Sequence, residues 1–319
     1  MKRFVVLILA VLALVALWAG GWHYVAAQIT DEAERLASAD GVTQPRIACG
    51  NFAVSGFPFH FSPICKNAEI AANDLTLSVT ELSATALFYR PTHLQIFATS
   101  PARLTDAFTG SAHELRWDSL RASLRLDGDR LARLSMVGNS LVHVDALFGS
   151  TILGTADHAE LHLVDADAGP ETAGTALDIF ARVEGAEHEG FEIEHGEVRL
   201  DARIIGLPPL DLLNHPDALR LWQMADGTLT LRGLEARAEG VELTATGEAS
   251  LDATGRLNGA LALASRGIVE RVDGLSDDPV AALFIGTPDA EGTYSQTLSV
   301  RGGTVFVGIL PVMGLDPFF

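Results

Sequence analysis

The sharpest candidate for chemistry in this chain is a run in which histidine and glutamate alternate, His158, Glu160 and His162. On a β-strand every second side chain points to the same face, so two imidazoles and a carboxylate would face one way, as zinc requires. Neighbours on one face of a strand lie about 7 Å apart, too far for joint coordination without a bend. Leu161 and Leu163 would occupy the other face, as in an ordinary solvated strand. We therefore expect no metal site here.

A second polar cluster is rich in glutamate. Its members are His188, Glu189, Glu192, Glu194 and His195. Crowded carboxylates raise one another's pKa, which suits acid–base catalysis. A hydrated outer face of a strand accounts for the same composition, so the cluster does not predict a catalytic site.

Motifs with a defined catalytic geometry are missing from the sequence. Residues 165–169 contain two aspartates but lack the full ligand spacing and the distal glutamate of a calcium loop. The chain has no Gly-x-Ser-x-Gly, no Walker loop and no dinucleotide fingerprint. We expect a protein that is not an enzyme and that uses no cofactor.

Cys49 and Cys65 are the only cysteines in the chain. In an oxidising compartment such a pair usually forms a disulfide, whereas in a reduced cytosol the two thiols would be unremarkable. Closing this loop would stabilise the fold by about 3 kcal/mol in the chain-entropy model. For an exported chain we predict a structural disulfide between Cys49 and Cys65, and not a catalytic thiol.

The elements that position these residues are β-strands. In residues 227–264 apolar and polar residues alternate with a period of two, which places them on opposite faces of a sheet. Glycines recur every six to eight residues and allow the tight turns of a meander. The fold class is therefore mainly β, or β-rich α+β: one or more curved antiparallel meander sheets with a few short capping helices.

The same alternation predicts further strands along the chain, at residues 47–54, 57–61, 75–89, 94–98, 115–126, 131–137, 141–144, 152–164, 176–183, 191–205 and 297–310. A change of phase near Glu81 predicts a bulge. Residues 127–129 and Gly302-Gly303 are predicted hairpin turns, and residues 165–174 an exposed loop. Short helical stripes are predicted at residues 212–225, 268–275 and 280–284.

The N-terminus carries Lys2 and Arg3 before an unbroken apolar run. Counted to Ala27, the segment would be about 36 Å long as a helix, enough to cross a bilayer. Charges before and after it predict an N-terminus in the cytoplasm, with Trp18, Trp22 and Tyr24 as an aromatic belt at the far interface. The alternative is a signal peptide cleaved after Ala27, and in both cases the rest of the chain is exported.

These features divide the chain into a membrane segment, residues 1–27, and a β-rich body, residues 28–319, with a soft boundary near 207–213. The net charge of −19 disfavours nucleic acid as a partner. The expected location is the inner membrane, single-pass, with the body in the periplasm. The signal-peptide alternative predicts a body released into the periplasm.

The stretch from Cys49 to Cys65 contains Gly-Phe-Pro-Phe at residues 56–59. In this block, the apolar N-terminus and a proline-containing hydrophobic C-terminus, the chain resembles domain-of-unknown-function family 2125 of Gram-negative envelope proteins. The glycine-rich meander is also similar to AsmA-like and TamB-like envelope proteins. That second resemblance implies a sheet curled into a hydrophobic groove for lipid.

Two functions fit this architecture. The first is an anchored periplasmic protein whose amphipathic sheet binds lipid or another hydrophobic envelope component. The second is a closed β-sandwich acting as a scaffold or protein-binding module, because both arrangements need the same alternation. For the first, the predicted lipid-facing residues are Leu229, Leu231, Val241, Leu243, Leu261 and Leu263.

Overall fold

The computed structural model describes residues 2–128, 130–167, 174–209, 212–213, 215–271 and 284–319. Two α-helices occur in these ranges, α1 (Lys2–Ala37) and α2 (Ala218–Met224). The strands are β1 (Arg46–Ser55), β2 (His60–Ala72), β3 (Leu75–Leu87), β4 (Arg90–Asp106), β5 (Ala112–Arg116), β6 (Ser119–Asp127), β7 (Arg130–Asp145), β8 (Thr151–Ala166), β9 (Thr175–His188), β10 (Ile193–Leu207), β11 (Thr228–Ala238), β12 (Val241–Leu251), β13 (Leu257–Arg266), β14 (Tyr294–Arg301), β15 (Thr304–Val307) and β16 (Leu310–Gly314).

All of these strands belong to one antiparallel sheet in which sequence neighbours pair in order, except that β5 and β6 do not pair with each other and both lie between β4 and β7. This confirms the predicted meander. The bulge predicted near Glu81 is present, because the β3–β4 register shifts between Val79 and Glu81. Gly302 and Gly303 form the predicted turn between β14 and β15, with φ of 53° and 79°. Two successive positive φ values are what a type I′ hairpin turn requires, and glycine adopts them without steric cost.

Three sequence predictions need correction. The strand predicted at 115–126 is split into β5 and β6 at Trp117, whose indole nitrogen donates to the Ala98 carbonyl (3.0 Å). Segments 131–137 and 141–144 form the single strand β7. The helix predicted at 212–225 is shorter, since α2 begins at Ala218. The predicted helical stripes at 268–275 and 280–284, the turn at 127–129, the loop at 165–174 and the soft boundary at 207–213 lie wholly or partly outside the described residues.

Helix α1 extends without a break beyond the apolar segment, from Lys2 to Ala37. It is long and apolar enough to cross a membrane by length and composition. Its first part packs against nothing in the described structure, and side chains from Phe4 to Leu17 are exposed. Its second part packs against the first strands, and there Trp22 is only 5% exposed.

The contact between α1 and the sheet is built from aromatic rings. Trp22 stacks on Phe61 with ring centroids 5.5 Å apart, and its indole nitrogen donates to the His60 carbonyl (3.0 Å). Trp18 packs on Phe88 with a centroid distance of 4.3 Å. Of the aromatic belt predicted at the far membrane interface, Trp22 is covered by protein, whereas Tyr24 is 67% exposed.

A strand was predicted at residues 57–61, but residues 56–59, which we call the aromatic turn, lie outside the strands. They connect β1 to β2, and the backbone nitrogens of Phe59 and His60 both donate to the Gly56 carbonyl. Gly56 has a φ of 105°, where a side chain would be strained and would also collide with His60. As a result Phe59 projects outward, and Phe57 stays about half exposed with its ring against Trp22 (centroids 5.6 Å apart) and His23 (6.0 Å). Phe61 points into the contact with α1.

The predicted disulfide joins Cys49 in β1 to Cys65 in β2, with Cα atoms 5.2 Å apart. Cys65 packs with Ala68 and Val79 in a small core that also contains Phe52. The bond therefore closes the hairpin that carries the aromatic turn, and it holds that hairpin in register beneath α1.

The sheet is open. In the part of the chain that the structure describes, β1 pairs only with β2 and β16 only with β15, so both edges end the sheet without meeting. The accessible surface is 19494 Å², against about 12,800 Å² expected for a compact monomer of this mass. The closed sandwich considered as an alternative would bury two sheet faces against each other, whereas the described strands form one sheet with two free edges.

Candidate functional site

One row of apolar residues crosses the sheet from β2 to β16, with one residue from each strand except β5. Directly paired residues on antiparallel strands point to the same face, so the register fixes the row. In β2–β8 it contains Phe61, Ala86, Leu94, Leu124, Leu134 and Leu163. In β9–β16 it contains Ile179, Ala202, Leu231, Gly247, Leu261, Leu298, Val307 and Leu310.

We call this set the apolar row. Its first member, Phe61, is the residue that stacks on Trp22 of α1. Most of its other side chains are half-buried, and Leu261 and Leu310 are exposed. The interior of a closed sandwich would cover such leucines completely. The row is therefore an apolar surface that runs from the helix to the last strand and is buried only at Phe61 and Ala202.

The row is widest at its C-terminal end, where it forms a depression of about 390 Å³ lined almost entirely by apolar atoms. Leu229, Leu231 and Leu261 line it together with Val300 and Met313. Gly247 and Gly259 line the bottom of the depression, and neither carries a side chain that would fill it. A Cβ at either position would also collide with the backbone of the neighbouring strand. Leucines thus surround exposed backbone, and the arrangement accepts an apolar group from outside.

The six predicted lipid-facing residues all lie on this face, but they differ in their burial and in whether they line the depression. Leu229, Leu231 and Leu261 line the depression. Val241 is 8% exposed and belongs to the protein interior. Leu243 and Leu263 are half-buried beyond the depression, and Leu263 is paired with the polar Gln296. Sequence reasoning missed Leu298, Val300, Val305 and Met313, because nothing in the sequence placed β14–β16 beside β13.

The opposite face of the same strands is ionic. Arg203 and Asp178 form a bidentate pair, with both nitrogen–oxygen distances 2.7 Å, and Arg232 joins Asp178 at 2.9 Å. The Arg203 hydrogen bond holds the pKa of the Asp178 carboxyl below its usual value. Arg182 bonds Glu197 on the neighbouring strand (2.8 Å). The sheet thus has one face suited to water and one suited to apolar ligands.

A comparison with family models assigns the chain to a family. Residues 22–315 match the model of the family described as "Uncharacterized protein conserved in bacteria (DUF2125)". The chain belongs to the DUF2125 family. The match begins at Trp22, the residue of α1 that is buried against the sheet, and it includes the disulfide hairpin and the whole apolar row.

No curated protein and no solved structure matches this DUF2125 chain. The further resemblance to AsmA-like and TamB-like proteins thus receives no support from the comparisons. What can be said of this family member's function comes from its own surface.

The histidine–glutamate run of this DUF2125 chain lies on β8, on the ionic face. Glu160 is 3.2 Å from His162 Nε2 and 4.0 Å from His158 Nε2, and it is paired with Arg182 across the strands. His158 Nδ1 bonds the Asn139 side-chain oxygen at 2.9 Å. In the described ranges no group of three or more His, Cys, Asp or Glu residues has the spacing to hold a metal ion.

The second polar cluster lines a hollow of about 770 Å³ at the end of β9 and β10, which contains His188, Glu189, Glu192, Glu194 and His195. Close by, His143 Nε2 lies 3.2 Å from His113 Nδ1. Desolvation by burial lowers the pKa of His143, the nearby His113 and His188 lower it further, and Asp145 opposes them. His143 is therefore a pH-sensitive residue of the sheet.

We expect acidification to destabilise the protein through His143. The pKa of His143 is lower in the folded protein than in the unfolded chain, so the unfolded chain binds more protons in the acidic range. The contribution of neutral His143 to the free energy of unfolding is therefore complete above about pH 6.5, and it is lost as the pH falls toward the folded pKa. The substitution His143→Gln should reduce the loss of unfolding free energy between neutral and mildly acidic pH, measured by chemical denaturation. His215→Gln, outside the cluster, is the control. Equal pH dependence in wild type and His143→Gln would contradict this.

Proposed function

We propose that this DUF2125 protein is a non-enzymatic, membrane-anchored envelope protein whose open sheet binds lipid or another hydrophobic envelope component. The observation that carries the proposal is the apolar row, in which every member except Phe61 and Ala202 is half-buried or exposed, and which forms the depression at Leu231 and Leu261. The volume of about 390 Å³ lies in the range of ligand sites, roughly 300–1,000 Å³. The extended shape of the row suits a chain-like apolar ligand better than a compact one.

The proposal includes a helix that is not cleaved. Removal of residues 1–27 would take away Trp22 and Ala26, which are buried with Phe61 in one cluster. It would leave Phe61 uncovered at the start of the apolar row, and an exposed aromatic patch of that kind is a liability in water. Retention of α1 is thus the arrangement that keeps the sheet's first core intact. The acidic residues after the apolar run support a body on the periplasmic side.

A protein partner is the second candidate, and two exposed aromatic residues favour it. Phe108 is 85% exposed and Phe148 96% exposed, in turns that follow β4 and β7. Exposed aromatics of this kind are enriched at protein interfaces. They lie away from the apolar row, so lipid binding and partner binding predict different contact residues.

Photo-crosslinking in cells tests the lipid proposal directly. A photoreactive phenylalanine at Leu261 should form covalent lipid adducts, detected by mass spectrometry of the purified protein. Ala262 is the matched control, because it is also exposed but faces the opposite side of the same strand. Adducts to protein alone at position 261 would contradict lipid binding and favour the partner-binding function.

A substitution pair gives the same test without a crosslinker. Leu261→Gln places an amide in the apolar row and should lower the amount of lipid that copurifies with the protein. Ala262→Gln makes a comparable change on the ionic face and should leave that amount unchanged. Both positions are exposed, so neither variant is expected to disturb folding. Equal lipid content in the two variants would count against the row as the binding surface.

A further inference from the structure

We propose that the aromatic turn and the β3–β4 turn enter the lipid leaflet around the outer end of α1, so that the body contacts the bilayer directly. The inference rests on the proposed membrane anchor and goes beyond it, because a tether alone requires no contact between body and lipid. It assigns the bilayer as the partner of aromatic residues whose rings stay more than half exposed, among them Phe59 and Tyr89.

The two turns are fixed to α1 and to each other. The Trp18 indole nitrogen donates to the Pro58 carbonyl at 3.0 Å. The Phe88 backbone nitrogen donates to the Phe59 carbonyl, also at 3.0 Å. With the ring contact between Trp18 and Phe88, these bonds hold both turns at the level of Trp18 on the helix. Their position along α1 is therefore determined by the fold.

That position lies within the thickness of a membrane. Arg3 keeps the start of the apolar run at the first headgroup layer, since a guanidinium is costly in hydrocarbon. With a rise of 1.5 Å per residue, Trp18 is about 21 Å and Trp22 about 27 Å along the helix from Phe4. The hydrocarbon core is about 30 Å thick. Trp18 and the turn bonded to it consequently fall in the outer leaflet.

The exposed side chains of the turns suit that environment. Phe57 is 51%, Phe59 68% and Tyr89 71% exposed, although each is large and apolar or amphipathic. Aromatic residues are enriched where membranes meet water. The exposed Arg90 follows Tyr89, and its long side chain can extend toward the outer headgroups and bond phosphate there.

Charge limits the lipid contact to these first two turns. Antiparallel pairing brings every second turn to the same end of the sheet, so the next two at this end follow β6 and β8. Those strands end near Asp127 and Asp165. Carboxylates are excluded from hydrocarbon and repelled by anionic lipids. The aromatic end of the sheet is thus set apart from its acidic continuation.

The apolar row begins beside this contact. Phe61, its first member, is two residues after Phe59 and stacks on Trp22. A lipid chain in the outer leaflet would therefore meet the start of the row at the aromatic turn. If the row binds lipid, the turn is where lipid reaches it.

Photo-crosslinking of the full-length protein in phosphatidylethanolamine–phosphatidylglycerol vesicles tests this inference. Photoreactive phenylalanine replaces Phe59 or Tyr89 in the turns, Leu12 in α1 as the anchor reference, or Phe148 as the matched control. Phe148 is a phenylalanine in a turn at the opposite end of the sheet, and at 96% it is more exposed than Phe59 at 68%. All four side chains are exposed, so the replacements are expected to leave the fold intact.

We expect lipid adducts at positions 12, 59 and 89, with a yield at 59 close to that at 12, and none at 148. Adducts at 12 without adducts at 59 and 89 would overturn the turn contact while leaving the anchor in place. Absence of adducts at 12 and 59 alike would overturn the anchor and this inference together. The result at Leu261 is independent of both, so failure of the lipid-binding proposal remains distinguishable.

Discussion

Replacing Trp22 with alanine is expected to lower the free energy of unfolding by about 3–5 kcal/mol, the usual cost of deleting a buried aromatic ring. Trp22 is 5% exposed, stacks on Phe61 and donates to the His60 carbonyl. The loss should appear as a lower denaturation midpoint of the full-length protein in detergent micelles, followed by the β-sheet signal in circular dichroism.

Two further variants separate the parts of this effect. Trp22→Phe retains a ring on Phe61 but leaves the His60 carbonyl without its donor, so about 1–3 kcal/mol should be lost. Tyr24→Ala alters a 67% exposed residue two positions along the same helix and should change little. An unchanged midpoint in Trp22→Ala would mean that α1 does not pack on the sheet.

Removing the disulfide with the double substitution Cys49→Ser and Cys65→Ser should cost about 3 kcal/mol, because the unfolded chain regains the freedom of a closed loop. The two cysteines are separated by 16 positions in the chain. Denaturation of the double variant should match that of wild-type protein treated with a reducing agent, which is the internal control. Coincident curves for oxidised and reduced wild type would contradict a stabilising role.

The same bond reports on the compartment. Non-reducing mass mapping of protein isolated from cells, with free thiols blocked at lysis, should find the Cys49 and Cys65 peptides linked. Two freely alkylated thiols in the folded protein would argue against a body in the oxidising periplasm. The measurement needs no reporter fusion and so leaves α1 and its charges unchanged.

The sheet was predictable because its rule is local. Alternation in residues 227–264 shows where the strands lie, and tight turns such as Gly302-Gly303 show that each strand pairs with the next one. The meander therefore follows from short segments of the sequence. The aromatic turn escaped prediction because Phe57, Phe59 and Phe61 also alternate. The chain turns at Gly56, where φ is 105°, and the alternation of apolar residues gives no sign of that backbone conformation.

The helix contact and the apolar row could not be predicted for a different reason. A membrane helix is apolar on every side, so nothing in its composition shows that Trp22 faces protein and Tyr24 does not. The row depends on the register of many strand pairs, and a bulge such as that between Leu231 and Leu234 changes which residues share a face. Three of the six predicted lipid-facing leucines and valines lie in the depression, because the prediction fixed the face but not the position along it.

Because the strands pair consecutively, the number of strands determines the length of the sheet across its strands. Fourteen steps separate β1 from β16 along the sheet, and at about 4.8 Å per step they amount to about 67 Å of hydrogen-bonded path. Each added or deleted hairpin would change this length by about 10 Å while leaving the pairing of the other strands intact. The number of hairpins thus sets the distance between β1, the strand next to α1, and the far edge of the sheet, and this distance can change in steps without a new core.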